Sequence, residues 1–452
     1  MASKSTSLAA PIYLLACLLL GGSAQGIWQN AVLQLAGLAI IGWTAFASSE
    51  EPLSTSVKQL LMLAMAAIAV AVLQLVPLPA SLWAHGERAE IADGYHLLGR
   101  PLPSLPVSLT PYDSIAALLG FIPALALFLA VVRFKPRRAG WLAAAVLAGA
   151  VLGTMLGALQ VASGAGNNRW YLYRETNLAA GVGFFANANH MATLLVVSLP
   201  FIAALATAGR GRGMQRYSAL LTVLAGVALI MLIGIALNGS LAGYALALPV
   251  LGASVLILLA RSSRYRRWAI LVAALAAIAA AAVLASSSVG SGHLARDANT
   301  SVQSRESILA TTGKAITDYM PLGSGLGSFV KVYRLYESPD SVSSEYVIHA
   351  DNDYAEIALE LGAPGIILML LFLGWWLGAV TSVWHKGEGG PFAQAASIAS
   401  AAVLVHSLVE FPLRTAAISG CFAVCLALIA DRRAATVQEP GELRPARHVV
   451  IG

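Results

Sequence analysis

The sequence has 452 residues, of which 58% are hydrophobic and only 11% charged. Soluble globular domains have roughly a quarter of their residues charged, so this composition excludes an ordinary soluble protein. The formal net charge of +6 does not indicate nucleic-acid binding, because the basic residues stand in short clusters between apolar runs. Such clusters are typical of membrane topology signals.

Apolar runs recur along nearly the whole chain, and each is long enough to cross a hydrocarbon core of roughly 30 Å as a helix. We therefore predict an all-α, polytopic integral membrane protein with about twelve transmembrane helices. The predicted spans lie at about 1–24, 31–47, 57–77, 111–132, 140–162, 188–208, 217–237, 241–260, 268–286, 364–384, 392–409 and 412–431.

The spans divide the chain into four parts. Residues 1–285 hold the first nine spans with short loops, 286–363 form one large loop with short helices, 364–431 hold the last three spans, and 432–452 form a polar tail. The first run ends in small residues and resembles a cleavable signal, but we interpret it as a retained span. The mixed segment 81–106 is interpreted as a short amphipathic helix at the membrane interface.

The basic clusters assign the two sides of the membrane. The loops at 133–138, 210–216 and 261–267, after the fourth, sixth and eighth spans, are rich in arginine and lysine and are predicted to face the cytoplasm. This parity places both termini in the cytoplasm and the loop 286–363 outside. Arg174 is an exception, because it lies in a short exterior loop that leads directly into a span.

The large loop begins without an apolar period to about residue 300 and then has a helical pattern. Ser304 is predicted to cap this helix, with Arg305 in its first turn and Pro321 at its end. The glycine-rich run 321–327 then provides tight turns or a close backbone approach to a ligand, and Gly325 lies at its centre.

A second helix of the loop is predicted to begin near Asp351 or Asn352 and to stop at 362–365. His349 lies just before it, and Asp351 or Asp353 could select the tautomer of its imidazole. A histidine in an irregular segment above a membrane bundle has either a structural or a catalytic role. Tyr354 follows in the first turn of the helix.

The sixth span begins with polar side chains at the outer edge of an apolar helix. Asn187, Asn189 and His190 face the bundle interior or a cavity by this interpretation. The two amides serve either as helix caps or as ligand contacts. Near the twelfth span, Glu410 and Arg414 are interpreted as a plain interfacial ion pair.

The order of these features resembles the O-antigen ligase and O-antigen polymerase superfamily of bacterial envelope enzymes. The resemblance extends over roughly 170–430. The matching segments are Phe-Phe-Ala-Asn-Ala-Asn-His at 184–190, Arg305 ahead of Pro-Leu-Gly-Ser-Gly-Leu-Gly-Ser-Phe at 321–329, the run 349–354 followed by Glu-Leu-Gly at 360–362, and Val-His-Ser-Leu-Val-Glu-Phe-Pro at 405–412. One position departs from the pattern: family members often carry arginine where this chain has Leu241.

The resemblance implies a metal-independent membrane glycosyltransferase of the GT-C type, without a cofactor, in the bacterial inner membrane. Its site would face the periplasm, where it would transfer glycan from undecaprenyl pyrophosphate with inversion to a glycan or to lipid A-core. The implied partners are the lipid-linked donor, the acceptor and membrane lipid, and not nucleic acid. The resemblance leaves a polysaccharide polymerase and an O-antigen ligase as alternatives, and we favour the polymerase.

The resemblance and the residue chemistry together suggest roles for individual side chains. Arginine stays charged and binds phosphate oxygens with two N–H groups, so Arg174 and Arg305 are predicted to bind the lipid pyrophosphate. His349 is the candidate base, since an imidazole titrates near neutral pH. Those three are the predicted catalytic residues. The predicted substrate-binding residues are Asn187, Asn189, His190, Asn352, Tyr354 and Gly325.

A transporter or flippase for lipid-linked glycan is an alternative from another functional class. It predicts charged residues in the middle of spans and an internal repeat. The sequence has few of the former, and no repeat is evident.

Overall fold

A computed structural model describes residues 6–24, 26–46, 52–134, 139–164, 167–211, 213–259, 293–339, 346–385 and 389–431. These residues are nearly all helical. The first helices are α1 (Thr6–Leu20), α2 (Trp28–Phe46), α3 (Thr55–Leu73), α4 (Ala80–Trp83), α5 (Ala89–Leu97), α6 (Pro111–Gly120), α7 (Ile122–Phe134) and α8 (Ala139–Ala162). They are followed by α9 (Ala188–Ala208), α10 (Met214–Asn238), α11 (Leu241–Leu259), α12 (His293–Tyr319), α13 (Phe329–Tyr336), α14 (Asp353–His385), α15 (Gly390–His406) and α16 (Ala416–Ala430).

Eight stretches of the described chain are long and apolar enough to cross a membrane, which is consistent with the predicted polytopic membrane protein. They are Trp28–Phe46, Thr55–Leu73, Pro111–Phe134, Ala139–Ala162, Ala188–Ala208, Met214–Asn238, Leu241–Leu259 and Asp353–His385. The predicted first and twelfth spans are shorter apolar helices, and the eleventh is the 17-residue α15. The predicted span 268–286 and the tail 432–452 lie outside the described residues, so the count of twelve stays a prediction.

The core forms around α9, which packs against α8, α10, α11 and α15. Small residues allow these close approaches, as is common between membrane helices. A Cβ on Gly234 of α10 would lie 2.6 Å from Oγ1 of Thr154 in α8, and one on Gly149 would lie 2.6 Å from Cδ1 of Leu18 in α1. The bundle therefore brings the ends of distant helices together and positions the loops between them.

Segments that the sequence assigns to one side of the membrane lie together in the structure. On the predicted cytoplasmic side, Ser54 Oγ donates to the carbonyl of Ala430 at 3.1 Å, and Arg210 Nη2 donates to that of Leu258 at 2.8 Å. On the other side, the segments after α3, before α9, around α12 and between α15 and α16 meet. This segregation agrees with the predicted parity of the spans.

The interfacial segment after α3 is only partly as predicted. It contains two short helices, α4 and α5, and a 3-10 turn at Gly86–Arg88 instead of one amphipathic helix. The segment is closed by a short antiparallel pairing of β1 (Pro77–Leu78) with β2 (Leu105–Pro106). The large loop also differs from expectation, because α12 begins at His293 and therefore contains Ser304 in its interior and not at its cap.

Candidate functional site

The glycine-rich run 321–327, which follows α12, packs against α14 at the point where that helix bends. Gly362 interrupts α14 with φ of 61°, so the helix bends there and does not stop as predicted. Gly325 has φ of 107°, and its N–H donates to the carbonyl of Glu360 at 2.9 Å. A Cβ on Gly325 would lie 2.6 Å from Cα of Ser108. This glycine thus has a backbone packing role, and its assignment to substrate binding stays a prediction.

Glu410 lies at the centre of a buried group of hydrogen-bond donors. Its carboxylate accepts from Asn189 Nδ2 at Oε1 and from Asn187 Nδ2 at Oε2, at 3.5 Å for the latter. Arg305 Nη2 donates to Oε1 at 3.3 Å. The N–H of Phe411 donates to Oε2 at 3.4 Å. The predicted residues Asn187, Asn189 and Arg305 are therefore brought together, and they meet at a carboxylate.

The two asparagines are oriented by the end of α9 and by its neighbour. Asn187 caps α9, since its Oδ1 accepts from the N–H of Asn189 at 2.8 Å. Ser240 Oγ donates to Oδ1 of Asn189 at 2.6 Å. Because this contact occupies the amide oxygen, the amide N–H groups of Asn189 face Glu410. The structure thus shows capping by Asn187 and contacts of both asparagines with Glu410, whereas ligand contact by either residue stays a prediction.

The Glu410 carboxyl is held in an environment that favours its neutral form. Burial raises the pKa of Glu410 to about 7, the negative charge of Asp351 raises it as well, and Arg305 and the Asn189 hydrogen bond oppose the shift. Burial also raises the pKa of Asp351, against the opposing charge of Arg305. Arg305 Nε lies 3.9 Å from Oδ2 of Asp351, so one guanidinium faces two carboxyl groups.

His190 lies beneath this group. It is buried, its ring contacts that of Phe411 edge-on at 5.0 Å between centroids, and its Nε2 lies 3.8 Å from Oε2 of Glu410. Neither ring nitrogen has a hydrogen-bond partner among the described residues. His190 therefore belongs to the same cluster as Asn187 and Asn189.

His349 is paired with Glu356, which the sequence analysis did not single out. Nδ1 of His349 lies 3.0 Å from Oε1 and 3.2 Å from Oε2 of Glu356, and its ring packs on Phe411 at 4.1 Å between centroids. Since an ionised carboxylate only accepts hydrogen bonds, Glu356 selects the tautomer with a proton on Nδ1. Nε2 then carries the free lone pair.

The predicted partner of this imidazole, Asp351 or Asp353, is corrected by the structure. Asp353 is the first residue of α14, and its carboxylate accepts from Ser407 Oγ at 2.8 Å. Glu356, almost one turn later, faces His349. Asp351 pairs instead with Arg305.

Arg414 binds three carboxylates that line one face of α14. Its Nε lies 3.6 Å from Oδ1 of Asp353, its Nη2 3.3 Å from Oε1 of Glu356, and its Nη1 3.2 Å from Oε2 of Glu360. The spacing of three and then four residues puts these carboxylates on one helix face. This acidic stripe at the start of an apolar helix is the sequence signal that could have identified Glu356 and Glu360.

The interpretation of Glu410 and Arg414 as an interfacial ion pair is wrong. A 3-10 turn at Pro412–Arg414 separates the two side chains, so each enters a different cluster. Glu410 faces Arg305 and α9, whereas Arg414 faces α14. The two clusters are joined through Phe411, whose ring contacts both His190 and His349.

Two further predicted substrate-binding residues have structural contacts. Asn352 caps α14, with its Oδ1 accepting from the N–H of Ala355 at 3.0 Å, and its Nδ2 donates to the carbonyl of Leu408 at 2.9 Å. Tyr354 donates its hydroxyl to the carbonyl of Leu404 at 2.7 Å. These bonds attach the start of α14 to the end of α15, and the substrate contacts of both residues stay predictions.

Arg174 is exposed in the loop between α8 and α9. The loop is attached to the bundle by Tyr173, whose hydroxyl donates to the carbonyl of Phe184 at 3.3 Å. Arg305, by contrast, contacts the carboxyl groups of Glu410 and Asp351. A joint role of the two arginines in binding phosphate stays a prediction.

The segment that carries Arg305, the glycine-rich run and His349 matches a known family. Residues 226–370 match the family model described as O-antigen ligase. This segment is similar to the O-antigen ligase family over about a third of the chain. The resemblance seen in the sequence is thereby confirmed for this segment, which supplies α12, the glycine-rich run, His349 and the first half of α14 to the site. No curated protein matches the chain.

The candidate site is polar, and its carboxylates are paired with arginine side chains. The acidic stripe of α14 is occupied by the guanidinium of Arg414. Within the ranges that the structure describes, no group of three or more histidine, cysteine, aspartate or glutamate side chains could hold a metal ion. The site offers the imidazole of His349, oriented by Glu356, and the partly exposed guanidinium of Arg305.

Proposed function

We propose that this protein is a periplasm-facing glycosyltransferase that transfers glycan from undecaprenyl pyrophosphate to a sugar acceptor with inversion. The observation that carries the proposal is the pairing of His349 with Glu356 in a segment that matches the O-antigen ligase family, next to the Arg305 cluster. A base and a phosphate-binding cation are the two groups that this reaction needs.

In the proposed reaction, Nε2 of His349 takes the proton of the acceptor hydroxyl as its oxygen attacks the anomeric carbon of the donor. The bond between that carbon and the pyrophosphate oxygen breaks, and undecaprenyl pyrophosphate leaves. Glu356 stabilises the imidazolium that forms, because its carboxylate lies against Nδ1. Attack opposite to the leaving group inverts the anomeric configuration.

Arg305 stabilises the charge on the leaving group in this proposal. Its side chain is 29% exposed, whereas that of its partner Glu410 is 3% exposed. Arg305 is therefore fixed by a buried carboxylate and still accessible to a ligand. Arg174, in the exposed loop before α9, supplies the second charge when the donor is bound. The proposed chemistry uses neither a metal ion nor a cofactor.

The proposed topology follows from the charged loops. About twelve spans, both termini in the cytoplasm and a GT-C-type arrangement in the inner membrane would place the site at the periplasmic end of the bundle. The segregation of the loops supports this, since Asn189, Ser240, Arg305 and Glu410 come from loops of one predicted side and lie in contact.

Polymerase and ligase are two forms of this proposal, and we favour the polymerase because the large loop holds little beyond the shared motifs. The family description favours the ligase. Deleting the gene and separating the surface glycan on a gel distinguishes them. Single repeat units on lipid A-core indicate a polymerase, whereas bare lipid A-core with accumulated lipid-linked polymer indicates a ligase. Unchanged surface glycan would contradict both forms.

A further inference from the structure

Several buried polar atoms near Arg305 and Glu410 make no hydrogen bond. Within the described chain, these are Nδ1 and Nε2 of His190, Nε2 of His406 and Nε of Arg305. Nε2 of His190 lies 3.8 Å from Oε2 of Glu410. A buried polar atom without a hydrogen bond raises the free energy of the folded state, so we expect these atoms to gain hydrogen bonds in another state of the protein.

The charge around Arg305 does not balance when both neighbouring carboxyl groups are ionised. Arg305 faces Glu410 at 3.3 Å and Asp351 at 3.9 Å, which leaves one excess negative charge. Other titratable groups that face this cluster are the imidazoles of His190, His349 and His406 and the carboxylate of Glu356, which is itself paired with Arg414. A pyrophosphate adds negative charge at Arg305, and like charges this close disfavour full ionisation.

Glu410 is the carboxyl group best placed to become neutral. It is 3% exposed, compared with 24% for Asp351, so it has less solvent to stabilise its charge. Burial raises its pKa to about 7. A proton on Oε2 would also have an acceptor, because Nε2 of His190 lies nearby without a hydrogen-bond partner among the described residues.

We propose that Glu410 takes up one proton from solvent when a pyrophosphate binds Arg305, and that this proton lies on Oε2, toward Nε2 of His190. The inference rests on the proposed function, in which undecaprenyl pyrophosphate is the leaving group. Proton uptake converts the carboxylate to a carboxylic acid. Its O–H donates to Nε2 of His190 once the two atoms, 3.8 Å apart in this structure, approach to hydrogen-bond distance. The proton returns to solvent when undecaprenyl pyrophosphate dissociates.

Calorimetry tests the inference on the purified full-length protein in lipid nanodiscs, with undecaprenyl pyrophosphate as the probe. Titration at pH 8 in two buffers with different ionisation enthalpies gives the number of protons taken up. At this pH a carboxyl group with a pKa of about 7 is about nine-tenths ionised, so the wild type should take up about one proton more than Glu410→Gln. Proton changes of the ligand itself occur in both proteins and cancel in this difference.

Asp113→Asn is the matched control, because Asp113 is an exposed carboxylate paired with Lys331 away from the cluster. It should take up as many protons as the wild type. Equal uptake by the wild type and Glu410→Gln would overturn the inference and leave the proposed function intact. Absence of probe binding, together with absence of glycan transfer, would instead overturn the proposed function.

Infrared difference spectroscopy provides a second readout that needs no folded Glu410 variant. Addition of the probe to the wild type should produce the C=O band of a buried carboxylic acid, and His190→Asn should shift that band because the acceptor of its O–H changes. A spectrum of the wild type without such a band would overturn the inference.

Discussion

Nδ1 of His349 lies 3.0 Å from Oε1 of Glu356, and the carboxylate is 2% exposed while the imidazole is 16% exposed. The pair therefore has a buried end and an end that opens toward the site. The Glu356 carboxylate also contacts Arg414 Nη2 at 3.3 Å. This second contact fixes the carboxylate and, through it, the orientation of the imidazole. This relationship gives His349 a defined tautomer, which a general base requires.

His349→Gln should reduce glycan transfer by a factor on the order of 10²–10⁴, because it removes the proposed base. The measurement is transfer by purified protein in a reconstituted assay. His96→Gln, an exposed histidine of α5, is the control and should retain full activity. Retention of more than about a tenth of wild-type transfer by His349→Gln would contradict the assignment.

Glu356→Gln should keep the shape of the pair and remove its charge. The imidazolium that forms during transfer then lacks its anionic neighbour. We expect kcat to fall with little change in KM, because the interaction matters most when the imidazolium forms. A variant whose KM changes as much as its kcat would indicate that Glu356 has only a structural role.

His349 and its neighbours show what could be predicted from the sequence. The position of His349 just before a helix that starts near Asp351 or Asn352 was predictable, because a helix start depends on local spacing. Its partner was predicted as Asp351 or Asp353, the two nearest carboxylates in sequence, and neither is the partner in the structure. Ser407 and Arg414 come from a distant part of the chain and hold Asp353, and no local pattern reveals that contact.

Arg305→Ala should lose more transfer than Arg305→Lys, since lysine keeps the charge but not the two-pronged geometry of guanidinium. Equal loss in both, at normal protein levels, would show that the geometry is essential. Arg100→Ala changes an exposed arginine after α5 and should leave transfer unchanged. No loss in either Arg305 variant would remove Arg305 from the proposed site.

Gly325→Ala should destabilise the protein, because the added Cβ would lie 2.6 Å from Cα of Ser108 and the backbone has φ of 107°. Gly94→Ala is the control: it lies in α5, and a Cβ there meets no atom within 4 Å. Thermal unfolding in detergent should show a lower midpoint for Gly325→Ala alone. An unchanged midpoint would mean that the run 321–327 adapts more easily than its contacts indicate.

Arg414→Gln should cost roughly 3–5 kcal/mol of stability, because it leaves three buried carboxylates without their common cation. Lys331→Gln removes an exposed pair with Asp113 and should cost about 0–1 kcal/mol. The two variants are compared by thermal unfolding and by yield from membranes. Similar stability of both would mean that the carboxylates become protonated in the absence of Arg414.

Glu410 and Arg414 show why some contacts of the site could not be predicted from the sequence. They are four residues apart and of opposite charge, which favours an ion pair if the chain between them is helical. The 3-10 turn at Pro412–Arg414 instead separates the two side chains, and Glu410 accepts hydrogen bonds from buried donors of α9. The helices themselves were predictable from their apolar length, whereas α13 and the early start of α12 were not, because short polar helices lack that signal.

Reconstituted transfer with a defined undecaprenyl-pyrophosphate-linked glycan tests the central claim most directly, with the anomeric configuration of the product determined by nuclear magnetic resonance. We predict that the purified protein forms a glycosidic bond with inverted configuration and releases undecaprenyl pyrophosphate, and that His349→Gln does not. A product with retained configuration, or transfer that is independent of His349, would contradict the account.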